Sequence, residues 1–138
     1  MASVNHLDAE LPDHEIQIRV RYQETDAQGR VHHSNYVNYF EMGRVEMLRS
    51  LGRTYRDLES EGLLLVVVKL TCNYYRGAKY DDLLKLRTSV TKARGVRITH
   101  QYQIHVDDEL VADGETVVAA VNREGKVVRL PEWLQIRR

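Results

Sequence analysis

The residues best suited to chemistry lie in one stretch, Tyr22-Gln-Glu-Thr-Asp26-Ala-Gln-Gly29-Arg-Val31-His-His33-Ser-Asn35-Tyr36. An alternating segment, Ile16 to Tyr22, precedes it, and a helix-patterned one, Tyr36 to Leu51, follows. Asp26 is thereby set in a glycine-containing loop between a strand and a helix N-terminus. A helix start offers unpaired backbone N–H groups and a partial positive charge, which suit a carbonyl oxygen that becomes negative during reaction. A fixed carboxylate beside such donors suits attack on an activated acyl group. It could act as nucleophile or as general base for water, and both routes need the same residue types.

Each of these residues also has a plainer reading. Asp-x-x-Gly favours turns, so Asp26 alone could be a loop former; the helix start that follows shifts the balance toward catalysis. Tyr22 reads most simply as an inward-facing strand aromatic with a satisfied hydroxyl. His32 and His33 are adjacent, and on an extended segment they would point opposite ways, which argues against a metal pair. His32 suits a solvent-facing position, and His33 suits substrate orientation or proton transfer to a leaving group. Arg94 and Arg97 flank Gly95 at a strand-to-strand turn. They fit a solvated basic turn or contacts to phosphate about equally. Cys72 reads as a small buried residue, with no partner histidine indicated.

The elements that must position this stretch follow from periodicity. Ile16, Ile18, Val20 and Tyr22 alternate as one face of a first strand. Ser34 is the expected N-cap of a helix carrying Tyr36, Val37, Phe40, Gly43, Met47, Leu48 and Leu51 along one side, with Gly52 as its stop. Gly43 weakens that helix by ~1 kcal/mol relative to alanine, so a close approach to a sheet is expected there. Thr54 to Glu61 predicts a second helical piece ending at Gly62. Strands are then expected over Leu63 to Tyr75, Leu83 to Lys92, Val96 to Val106, Leu110 to Asn122 and Val127 to Leu130, with a helical turn at Pro131 to Leu134. Leu63 to Val68 reads as a buried strand, and strands joined by short turns as antiparallel neighbours. Arg44 and Glu46, at i,i+2, cannot face each other and should pair elsewhere. One helix with this much sheet predicts an α+β domain over residues 15–138, after a flexible arm over residues 1–14. Sheet edges that need covering favour a homo-oligomer.

The bulk numbers narrow the function classes. The 138 residues suit one domain with a real core, and 20 basic against 20 acidic residues leave no net charge. No global basic field therefore points to nucleic acid or a membrane surface. The apolar run Leu63 to Val68 is far short of a membrane span, and the first residues carry no export-signal pattern. A single cysteine precludes an intrachain disulfide and suits a reducing, cytoplasmic setting.

At this point the chain resembles the hotdog-fold acyl-CoA thioesterases, in the 4-hydroxybenzoyl-CoA thioesterase-like branch. The resemblance rests on Tyr22-x-x-x-Asp26-x-x-Gly29-x-Val31-x-His33-x-Asn35-Tyr36, then Arg44-x-Glu46, Leu51-Gly52 and Tyr80-Asp81-Asp82, and it spans residues 16–131. It implies a curved, mostly antiparallel sheet of five or six strands wrapping the helix. It also implies assembly as dimers or tetramers with active sites between subunits. By the same resemblance the catalytic carboxylate is Asp26, its polar partners are Tyr22 and His33, and the carbonyl-polarising backbone N–H falls near His33. Gly29, Val31 and Asn35, with Arg94 and Arg97, are the expected substrate contacts. Glu24 stands where many relatives have aspartate, and Gly77 where many have proline, so a supporting contact and a loop should differ here.

The expected activity is hydrolysis of an acyl-CoA, or of an acyl carrier protein thioester, with neither metal nor organic cofactor. An acyl-thioester hydratase or dehydratase, or a non-catalytic acyl-CoA-binding dimer, is the alternative.

Overall fold

Period-two alternation and β-branched residues build five antiparallel strands, and one long helix lies against them. The structure, a computed structural model, describes residues 12–136. In chain order these form β1 (His14–Arg19), a 3-10 turn (Tyr22–Glu24), α1 (His33–Ser50), α2 (Tyr55–Ser60), β2 (Leu64–Tyr74), β3 (Leu83–Arg94), β4 (Arg97–Val106), β5 (Glu109–Val121) and a last 3-10 turn (Glu132–Leu134). The sheet order is β1-β3-β4-β5-β2, with every neighbouring pair antiparallel. This is the α+β hotdog architecture. Residues 1–11 of the expected arm lie outside the described residues, and His14 already belongs to β1.

Several local expectations change. The first strand ends at Arg19, so Tyr22 falls in the 3-10 turn and is 77% exposed rather than inward-facing. Helix α1 begins at His33, and its N-cap is His32, not Ser34. The ring of His32 accepts from the Ser34 N–H at 3.2 Å, doing with Nδ1 what a hydroxyl was expected to do. The run Leu63 to Val68 is not a buried strand. It opens β2, which pairs only with β5, and Val66, Val67 and Val68 are exposed along this sheet edge. Nor do β2 and β3 form a hairpin: β4 and β5 lie between them, and Tyr75 to Asp82 carries the chain across the sheet end. The expected strand at Val127 to Leu130 reduces to one bridge, Val121 to Val127.

The core lies between α1 and the sheet in two parts. Tyr36, Tyr39 and Phe40 pack with Leu84, Leu86, Tyr102 and Ile104; Met47 and Leu48 pack with Leu58, Val90, Ile98, Leu130 and Leu134. Each such side chain contributes ~1.5–3 kcal/mol through removal from water. Gly43 makes the close approach that its place in the apolar stripe implied. A Cβ there would run into Thr88 Oγ1 and lie 2.8 Å from Leu86 Cδ2. A polar seam crosses this interior: Arg44 donates to the Tyr102 hydroxyl at 3.4 Å, and that hydroxyl lies 2.6 Å from Thr116 Oγ1. Arg44 and Glu46 do pair elsewhere, each at i,i+3 within α1, with Glu41 and Arg49 respectively.

Candidate active site

The loop from Thr25 to Val31 is closed by a Thr25–Val31 bridge, and Gly29 turns it at φ +78°. Asp26 organises the loop from inside. Its Oδ1 accepts from the Gln28 N–H at 2.9 Å and the Arg30 N–H at 3.3 Å, and its own N–H donates to the Arg30 carbonyl. The turn-forming reading of Asp26 therefore holds for one carboxylate oxygen. Among the described residues nothing hydrogen-bonds Oδ2, so the other oxygen is left for chemistry. Both readings are compatible because a carboxylate has two oxygens.

Glu24 ties this loop to the helix. Its carboxylate accepts from the Arg21 N–H at 2.8 Å, the Arg21 guanidinium at 3.0 Å and the Tyr39 hydroxyl at 2.9 Å. Its carbonyl accepts from the His32 N–H and from Asn35 Nδ2, each at 2.9 Å. Burial pushes the Glu24 carboxyl up, but the hydrogen bonds from Arg21 and Tyr39 and the Arg21 charge outweigh it, so it sits below its ordinary value. Asn35 thus holds the loop in place.

At the helix start, Ser34 N–H is taken by the His32 ring and Asn35 N–H by the His32 carbonyl. Among the described residues no acceptor takes the His33 N–H, which leaves it as a free donor at the positive end of α1. His32 and His33 straddle the cap and first turn instead of an extended segment. Their rings accordingly stack at 4.2 Å, contrary to the opposed orientation expected of a strand.

A groove of about 400 Å³ collects Asp26, Arg30, Val31, His33, Tyr36 and Tyr74. Of the expected site residues, Asp26, Val31 and His33 are therefore brought together. Gly29 and Asn35 shape the loop without lining the groove. Tyr22 does not reach it within this chain; its ring stands edge-on to Tyr80 at 5.5 Å. Arg94 and Arg97 close the β3–β4 turn. The first residue of β3 lies beside β1, near the Asp26 loop, and Arg94 is at the other end of this 12-residue strand. At ~3.3 Å per residue that is a separation on the order of 35 Å.

Two phenols that sequence reading did not assign to chemistry stand in the groove. The Tyr74 hydroxyl donates to the His33 carbonyl at 3.2 Å, and its ring is edge-on to both His33 and Tyr36. Burial and a hydrogen bond with Cys72 push Tyr74 up to about 12, so it remains a donor at neutral pH. The Tyr36 hydroxyl accepts from the Ala78 N–H at 3.3 Å, and its titration is also raised by burial. The available signal was Tyr74-Tyr75-Arg76 at the end of a strand, but its meeting with Asp26 depends on sheet order. Among the described residues no cluster of His, Cys, Asp and Glu could hold a metal ion.

Comparison with known proteins agrees with this fold. A family model described as the Thioesterase-like superfamily matches residues 20–137. Acyl-CoA thioester hydrolase YbgC of Escherichia coli is 36% identical over 106 residues, covering 76% of this chain and 79% of that protein. The crystal structure of a probable thioesterase from Bartonella henselae matches with TM-score 0.83 at 34% identity, covering 87% of this chain and 100% of that one. A DHNA-CoA thioesterase from Staphylococcus aureus matches with TM-score 0.83 at 32% identity, covering 86% and 80%. The family model, the relatives and the shared fold show that the chain belongs to the Thioesterase-like superfamily: it is a thioester hydrolase of the hotdog fold.

Proposed function

We propose that this protein hydrolyses acyl-CoA thioesters in the groove between Asp26 and the start of α1. The observation that carries the reading is the pairing of an uncommitted Asp26 oxygen with an uncommitted His33 N–H on one groove. The thioester carbonyl accepts from the His33 N–H, which stabilises the charge that grows on its oxygen. Asp26 either removes a proton from water as it adds to the carbonyl carbon, or adds itself and is then released by water. In each case a C–O bond replaces the C–S bond, water supplies the oxygen and proton, and the thiol leaves. His33 is suited to give the thiolate its proton. No metal or organic cofactor is required by these steps.

The test is release of free thiol from a panel of saturated acyl-CoAs. Asp26→Asn keeps the shape and removes the anion, and we expect kcat to fall by roughly a hundredfold or more. If wild type and the variant hydrolyse every acyl-CoA equally slowly, the catalytic reading is lost.

We also propose a homodimer formed through β2. Among the described residues this strand leaves one edge unpaired, with Val66, Val67, Val68 and Leu70 between 40% and 51% exposed. Such an edge is a template for antiparallel pairing with a second copy. The single, half-buried Cys72 is compatible with work in the cytoplasm, and among the described residues no helix is long and apolar enough to cross a membrane.

A further inference from the structure

A second groove of about 350 Å³ adjoins the first and shares Arg30, Arg76 and Gly77 with it, adding Lys79, Asp82, Val106, Asp107, Glu109 and Val111. Its backbone is tied to the Asp26 loop. Arg30 and Lys79 form a β-bridge, and the Val31 N–H donates to the Ala78 carbonyl at 2.8 Å. Gly77 makes room for a cation here: a Cβ would run into Arg30 Cδ and sit 2.7 Å from its Nε, so the Arg30 side chain lies across the bare glycine. Among the described residues no carboxylate pairs with Arg30 or Lys79. Of the acids that line the groove, Glu109 holds Arg76 at 2.9 Å and Asp82 accepts from the Lys79 N–H at 2.9 Å, while Asp107, a turn residue at φ +49°, pairs with neither Arg30 nor Lys79. Two unpaired cations and a third held nearby thus follow directly from the reacting groove.

We infer that Arg30 and Lys79, steadied by Arg76, form a binding site for the phosphate at the end of the pantetheine arm of the thioester carrier. An arginine fork and a lysine charge suit phosphate oxygens. The arm would run from the Asp26–His33 groove past Gly77. This rests on the proposed thioesterase reading and replaces the distant Arg94 and Arg97 as the phosphate contacts. It also gives Gly77 a role, since proline or any other side chain there would push Arg30 off the groove floor. The phosphate could belong to coenzyme A or to a carrier protein's prosthetic arm, and its chemistry is the same in both.

The experiment compares one acyl group carried on coenzyme A, on phosphopantetheine and on pantetheine. Kinetics are measured for wild type, the double variant Arg30→Ala/Lys79→Ala, and Arg94→Ala/Arg97→Ala. In wild type, kcat/KM should favour acyl-CoA over acyl-pantetheine by at least about tenfold, mainly through KM, and added salt should shrink the preference. In the Arg30/Lys79 variant the ratio should approach one. Loss of preference for acyl-phosphopantetheine as well assigns the site to the phosphate both carriers share; loss for acyl-CoA alone places the contact on the nucleotide phosphates and overturns the inference. A ratio that survives in this variant, or that falls instead in the Arg94/Arg97 variant, overturns the inference. Calorimetric binding of coenzyme A and of pantetheine separates it from the activity: should no thioester be cleaved, a roughly tenfold weaker coenzyme A affinity in the Arg30/Lys79 variant, with wild-type helical signal retained, still supports the site, and unchanged affinity rejects it.

Discussion

At Glu24, burial and pairing compete, and pairing wins. Six hydrogen bonds to one residue join the 3-10 turn, the Asp26 loop and α1, so its charge is held where the fold needs an acceptor. We expect Glu24→Gln to lower unfolding free energy by ~1–3 kcal/mol at pH 7, because the Arg21 and Tyr39 donors lose an anion. Because its titration lies below the ordinary 4.5, that contribution is present above pH 4.5 and fades as pH falls below it. Denaturant melts at pH 7 and pH 4 should therefore show the gap between wild type and variant narrowing. His100 gives the opposite balance. Burial, with Arg44 nearby, holds its imidazole down to about 3 from 6.5, and among the described residues its Nδ1 has no partner. The unfolded chain takes up this proton below pH 6.5 while the folded chain refuses it until about 3, so stability falls with acidity across that window. In His100→Leu the slope of stability against pH between 6 and 4 should flatten by up to about 1.4 kcal/mol per pH unit. An unchanged slope would show that the folded protein accommodates the charge.

Among the elements, α1 carries the clearest conflict between local preference and packing. Alanine at position 43 would favour the helix by ~1 kcal/mol, yet its methyl would collide with Thr88 and Leu86 on β3. Both lie on a strand paired on two sides, so neither can retreat freely, and overpacking of this kind costs ~1–3 kcal/mol. We expect Gly43→Ala to be net destabilising by about 1 kcal/mol in thermal melts; a gain in stability would mean that α1 slides. The connection Tyr75 to Asp82 does for the site what α1 does for the core. The Tyr75 and Arg76 N–H groups donate to the Val111 carbonyl, and Val31 pairs back to Ala78. These bonds bring the end of an edge strand against a loop far away in sequence.

For the molecule as a whole, the β2 edge is the feature least explained by a single chain. Val67 pairs with Val118, and the register shifts between Val67 and Lys69, leaving Val68 bulged and 51% exposed. A charge at Val67 should disfavour a second copy at this edge without entering the core. We expect Val67→Asp to shift the mass seen by light scattering toward monomer at micromolar concentration, while far-ultraviolet circular dichroism stays as in wild type. If the wild type is itself monomeric at high concentration, pairing through β2 is wrong.

Periodicity in the chain was enough to read five strands, the long helix, its Gly52 stop and the close approach at Gly43, because alternation and 3.6-spacing are local consequences of which face is buried. The Asp26 loop was legible for the same reason, since a strand, a glycine turn and a helix start follow one another directly, whereas the donor at His33 was expected only from the family resemblance. What local pattern could not reach was anything set by sheet order or by a change of backbone direction. The 3-10 turn swung Tyr22 outward, an imidazole took the cap from Ser34, and β2 moved to the far edge with its valines open. That same crossing set Tyr74, Arg76 and Lys79 beside Asp26 and put Arg94 and Arg97 at the opposite end. A side chain's neighbours across a sheet depend on which strands lie between, and that order is a property of the whole packed core.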